Sequence, residues 1–95
     1  MSYELYTWPH CEDCDRVKEL LDVRKIGYTS VEVFDNTEGK RRLRDAEVKI
    51  GDKRVEPFKL KISLHGKIIF PILVQRNGDG VERLVQGYDN IKALL

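Results

Sequence analysis

The sequence predicts an α/β fold in a single domain, on two observations. A strand-like run, a helix-periodic run and a second strand-like run follow one another within residues 3–34, the pattern of a βαβ unit. Further on, two apolar strand-like runs flank the turn-rich "RNGDG", the pattern of an antiparallel hairpin. At 95 residues the chain has length for one domain and can bury a core without disulfides.

Each element has its own signal. Tyr3 to Thr7 reads as a short buried strand. After Cys11, the recurrence of Cys14, Val17, Leu20 and Leu21 at three- and four-residue steps predicts a helix. Gly27 is its expected stop, with Arg24 and Lys25 at the negative end of the dipole. Tyr28 to Phe34 is β-branched and aromatic and predicts the second strand, parallel to the first through a right-handed crossover. Asn36 or Thr37 is expected to cap a second helix reaching about residue 48, with Leu43 and Ala46 on its apolar face. Ile68 to Gln75 and Val81 to Gln86 form the hairpin strands. Asp89 or Asn90 then opens a short last helix.

Residues 49–66 carry conflicting signals. Phe58, Leu60, Ile62 and Leu64 alternate with Lys59, Lys61 and Ser63, which suits a strand. Glu56-Pro57 would equally suit the first turn of a helix. A strand or extended loop is expected.

Charge is balanced overall, 17 basic against 16 acidic side chains, but unevenly placed. Residues 1–39 carry 4 basic and 9 acidic (net −5), whereas 40–67 carry 10 and 4 (net +6). The run Lys40-Arg41-Arg42-Leu43-Arg44 is read as a solvated helix face, and nucleic acid is not expected as a partner. The first residues lack the charged and apolar segments of a secretory signal, and the apolar run Ile68 to Val74 is too short to span a bilayer. A soluble, cytoplasmic protein is expected, with no membrane partner.

In that compartment the two cysteines of "LYTWPHCEDCDRVKELL" need a chemical reason. As a structural staple they would do little, because a bridge enclosing only Glu12 and Asp13 closes a very short loop. A metal site would need His10 and His65 to join Cys11 and Cys14, a spacing unlike the usual zinc patterns. A cluster shared between subunits through Cys11 is a further minor alternative. A redox pair explains both position and spacing. Cys11 falls at a helix N-terminus, where free amide N–H groups and the dipole stabilise a thiolate. Cys14, one turn later, can attack a mixed disulfide formed on Cys11. C-x-x-C beside a βαβ unit is much more specific than C-x-x-C alone.

Three segments, in order, resemble the glutaredoxins of the thioredoxin-like superfamily. "YTWPHCEDC" is similar to their strand, proline and C-x-x-C, "IFP" to their Thr-Val-Pro, and "GYDN" to their late Gly-x-Asp-Asp. The resemblance covers residues 1–48 and 67–95, with 49–66 an apparent insertion before the proline strand. It implies a thioredoxin-like, four-stranded mixed sheet flanked by helices, Cys11 as nucleophile, Cys14 as resolving thiol, and a cis bond between Phe70 and Pro71. The main chain of Phe70 would pair with an extended thiol substrate. Asp89 and Asn90 would receive the γ-glutamyl end of glutathione. Trp8, His10 and Gly87, in the matched segments, join Phe70 and Pro71 as expected substrate contacts.

The implied activity is dithiol exchange on protein or glutathione-mixed disulfides. No bound cofactor or metal is expected, and electrons would come from glutathione or a thioredoxin-reductase-like enzyme. The alternative is a non-catalytic module of the same fold that binds a protein or nucleic acid through 40–67. Departures from the pattern bear on glutathione. Trp8 stands where these proteins usually carry lysine, Gln86 replaces a glycine of their usual pair, Ile69 replaces threonine, and Glu12-Asp13 replaces Pro-Tyr between the cysteines.

Overall fold

The computed structural model describes residues 2–51, 60, 62 and 66–95. Its elements run β1 (Ser2–Thr7), α1 (Glu12–Val23), β2 (Thr29–Glu32), α2 (Thr37–Gly51), β3 (Ile72–Asn77), β4 (Gly80–Gln86) and α3 (Tyr88–Leu94). The four strands form one sheet in the order β2-β1-β3-β4. β1 pairs parallel with β2 and antiparallel with β3, which pairs antiparallel with β4. The expected βαβ unit and hairpin therefore share one mixed sheet, built around β1 and β3.

Strand alternation assigns the two faces. Leu5 and Leu73 point to one side, where Val17 and Leu21 of α1 and Ile91 of α3 close over them. Tyr6, Ile72 and Val74 point to the other, against Leu43, Ala46 and Ile50 of α2. Burial of these side chains is the main stabilising term. It places α1 and α3 together on one face of the sheet.

α2 is pinned to the sheet by charge as well. Glu4, on β1, is 6% exposed. It accepts hydrogen bonds from the Tyr6 hydroxyl at 3.0 Å, from Arg76 Nε at 2.6 Å and from Arg42 of α2. Arg76 also reaches Asp45 of α2 at 3.0 Å. Burial alone would raise the Glu4 carboxyl, but bonding to Arg76, Tyr6 and Arg42 more than offsets it and holds the group below its ordinary value.

Several boundaries differ from the sequence expectations. α1 stops at Val23, ahead of Gly27, because Lys25 takes the left-handed position with φ 57°. Lys25 N–H donates to Asp22 and Ile26 N–H to Leu21, a Schellman ending that returns Ile26 to the core. β2 is shorter than Tyr28 to Phe34: its register on β1 runs from Thr29 to Glu32, and beyond it Val33 N–H donates to the Thr7 carbonyl at 3.2 Å. Asn36 caps α2, accepting from Gly39 N–H at 3.2 Å. The helix continues past 48 because Ile50, one further step along the buried stripe, also packs on the core. Residues 49–51 therefore belong to α2 and not to an insertion. β3 begins only at Ile72, after Pro71. Asp89 and Asn90 do not cap α3; Gly87 is its N-cap, with φ 90° and no side-chain bond.

For 49–66, Ile62 makes an isolated antiparallel bridge with Ile68, and Leu60 packs against the α2-side core. The remaining expectations there, including the Phe58 to Leu64 alternation and the Glu56-Pro57 helix start, fall outside the described residues.

Candidate functional site

β1 delivers the chain to the site. After Thr7 it leaves the sheet through Trp8, Pro9 and His10, and His10 adopts a left-handed φ of 56° that turns the backbone into α1. This is a conformation side chains adopt at a cost. Cys11 is the N-cap of α1, extended at φ −108° and ψ 103°. Its sulfur accepts the backbone N–H of Cys14 at 3.1 Å. A cap of this kind satisfies one of the free amides of the first turn, and a thiolate would use the same bond.

The two cysteines are joined as a disulfide with Cα atoms 5.2 Å apart. Their surroundings differ: Cys11 is half-buried, whereas Cys14 is 2% exposed and faces the sheet. Glu12 and Asp13 both point to water, and Asp13 pairs with Arg16 at 3.2 Å.

The register of β1 against β3 pairs Tyr6 with Ile72. Pro71, which is buried, therefore lies level with Thr7, four residues before Cys11. The Phe70–Pro71 bond is cis, as the resemblance implied. Phe70 is half-buried, and its ring lies 5.4 Å from that of Trp8, which in turn meets Phe34 edge-on at 5.1 Å. Trp8 is thus the centre of an aromatic row. Beyond it an apolar groove of about 530 Å³ runs between Val33, Leu43, Leu60 and Ile68, rimmed by Lys40, Arg44 and Glu47.

On the other side a cleft of about 260 Å³ lies between the C-x-x-C turn and the start of α3. It is lined by Asp13 and Arg16 of α1, by Ile69 and Gln86, and by Gly87 to Asn90. The Arg16 guanidinium stacks 3.8 Å from the centre of the Tyr88 ring, which ties α1 to α3. Asp89 and Asn90 are exposed, and Asn90 donates to the Gln86 carbonyl at 2.9 Å.

The structure therefore groups the sequence-predicted residues in two sets. Trp8 and Phe70 meet on one side; Gly87, Asp89 and Asn90 meet on the other, with the cysteines at the helix start between the segments that carry them. His10 serves the turn before Cys11. Sequence reasoning missed Arg16 and Tyr88 as cleft residues, because cation–π partners so far apart in sequence leave no local signal. Among the described residues, no group of three or more His, Cys, Asp or Glu side chains is arranged to hold a metal ion, and His65 lies outside them. No described helix is long and apolar enough to cross a membrane.

Comparison with known proteins agrees with this geometry. The fold is similar to the crystal structure of glutaredoxin 1 from Francisella tularensis complexed with cacodylate, with a TM-score of 0.52. The match covers 97% of this chain and 88% of that one at 16% sequence identity. No curated protein matches the sequence closely. The glutaredoxin family profile matches residues 3–54, more than half of the chain, from the second residue of β1 through the cysteine pair to beyond the end of α2. With that match, the C-x-x-C at the start of α1 and the mixed sheet behind it, the chain belongs to the glutaredoxin family.

Proposed function

We propose that this protein is a cytoplasmic dithiol oxidoreductase that reduces protein disulfides or glutathione-mixed disulfides. The Cys11 thiolate attacks one sulfur of the substrate disulfide, forming a mixed disulfide and releasing the first substrate thiolate, which takes a proton from water. The Cys14 thiolate then attacks Cys11 Sγ, breaking that bond and releasing the second substrate thiol. The substrate gains two electrons and the enzyme is left as the Cys11–Cys14 disulfide. Glutathione or a thioredoxin-reductase-like enzyme returns the electrons.

One observation carries this reading. Cys11 is accessible at the helix start with its sulfur on the Cys14 amide, while Cys14 is buried one turn behind it. An accessible attacking thiol and a shielded resolving thiol are what the two steps require. The Phe70 main chain beside Trp8 would hold an extended substrate, and Asp89 and Asn90 would hold a γ-glutamyl group.

Trp8 weakens the case for strong glutathione dependence. A lysine there would offer a carboxylate a charge-assisted bond worth about 1.5–3 kcal/mol when desolvated and less when exposed. An indole packed on Phe34 and Phe70 offers apolar surface instead. Steady-state turnover of a glutathionylated peptide with varied glutathione tests both points. Turnover with weak glutathione dependence is expected, and a lower glutathione KM in Trp8→Lys. Absence of turnover with either reducing system would favour a non-catalytic binding module. An unchanged or weaker dependence in Trp8→Lys would remove Trp8 from the glutathione question.

A further inference from the structure

Gln86 takes no part in exchange, yet it touches the segment on which substrate binding depends. It is the last residue of β4, 8% exposed, and its Nε2 donates to the Ile69 carbonyl at 3.2 Å. The β3–β4 ladder begins one step away, where Gln86 pairs with Ile72. Ile69, Phe70 and Pro71 lie before that ladder. The next residue, Gly87, donates its backbone N–H to the Pro71 carbonyl at 2.9 Å. Gln86 and Gly87 therefore grip both ends of the tripeptide, one through a side chain and one through the backbone. The former needs a side chain with an N–H donor of that reach.

We infer that Gln86 is a positioning residue: its amide fixes the Ile69 carbonyl and so holds the Phe70 main chain in the orientation that receives an extended substrate. This rests on the exchange function proposed above. Ile69 is half-buried and precedes the paired part of β3, and Gln86 Nε2 supplies a donor to its carbonyl. Gln86 and Ile69 both line the cleft, so the first residue of the gripped segment also borders it. Asn90 Nδ2 on the Gln86 carbonyl anchors the same residue to α3.

Two substitutions and two readouts test it. Gln86→Met keeps the length and removes the donor. Gln86→Glu keeps the shape but sets a carboxylate against a carbonyl at pH 7; at pH 4 a protonated carboxyl can donate again. Backbone 15N relaxation on the oxidised protein should show the Ile69 and Phe70 amides falling from rigid order parameters of about 0.85 toward 0.6 in Gln86→Met. Gln86→Glu should match it at pH 7 and recover at pH 4, with the wild type alike at both. In turnover, the KM for a glutathionylated peptide should rise roughly fivefold to tenfold, the scale of one hydrogen bond. Unchanged order parameters, a Gln86→Glu response without pH dependence, or a loosened segment with unchanged KM would each overturn the inference. A wild type that turns over no disulfide would instead overturn the proposed function, while relaxation still decides whether Gln86 holds the segment. Should Gln86→Met not fold, the pH comparison within Gln86→Glu decides it alone.

Discussion

Cys11 and Cys14 are one helical turn apart but inhabit different environments, the first half-buried at the cap and the second against the sheet. Spacing made the pair legible, and the recurrence of Cys14, Val17, Leu20 and Leu21 made the helix legible; of these the structure buries Cys14, Val17 and Leu21. The partners of Trp8 were not legible, since Phe34 and Phe70 reach it from other parts of the fold. Glu12 and Asp13 sit in the first turn, where anions favour the helix but disfavour a neighbouring thiolate. Glu12→Gln/Asp13→Asn is therefore expected to move the midpoint of the Cys11 alkylation-rate profile to lower pH. The shift should be roughly 0.2–0.7 unit, the pH equivalent of about 0.3–1 kcal/mol. An unmoved or higher midpoint would mean that water screens both carboxylates from the sulfur.

At the scale of elements, α2 shows how a pattern can be present and still be read short. Leu43, Ala46 and Ile50 lie on one stripe, but Val48 falls off it and is 51% exposed, so stopping at 48 placed the boundary at an outward residue. The start of α2 depends on a feature that sequence cannot display. Gly39 is buried where α2 crosses the end of β2, and a Cβ there would overlap the Glu32 carbonyl oxygen. Intrinsic propensity favours alanine in a helix by about 1 kcal/mol. Packing should reverse that sign: Gly39→Ala is expected to lower the unfolding free energy by about 1–3 kcal/mol, the usual range for overpacking. Denaturant titration measures it, and a stabilised variant would show that the helix start can shift without penalty. The α1 ending at Lys25 was equally hidden, because a lysine in the left-handed position is rarer than the glycine two residues on.

Across the whole molecule, the βαβ unit and the hairpin follow from patterns visible in the chain, and their joining into one mixed sheet flanked by helices from the resemblance, whereas the buried ion network does not. Glu4 is the one charged residue of β1, and its partners Arg42 and Arg76 come from α2 and β3, where Arg76 also pairs with Asp45 of α2. Its lowered carboxyl stabilises the fold at pH values above its ordinary 4.5, and that contribution is lost as pH falls through the folded value. Asp45 is lowered too, chiefly by its bond from Arg76, and acts in the same direction. Tyr6 gives the alkaline counterpart: burial pushes it up to about 12 from 10.0, so stability falls as pH rises through that window. Glu4→Gln should cost about 3–5 kcal/mol near neutral pH, as expected for breaking a buried pair. Its stability should then vary less with acid than the wild type's, the two curves converging at low pH. Parallel curves would show that Glu4 is not the group that titrates.

The sheet, the helices and the network serve to set one accessible sulfur in front of one buried sulfur, and mass spectrometry of trapped intermediates tests that arrangement most directly. The reduced Cys14→Ser protein, mixed with a glutathionylated peptide, should accumulate a stoichiometric mixed disulfide mapped to Cys11. Cys11→Ser should accumulate none on Cys14, because that thiol is buried behind the helix start. A stable adduct on Cys14, or equal trapping by both variants, would contradict the assignment of Cys11 as nucleophile and Cys14 as resolving thiol.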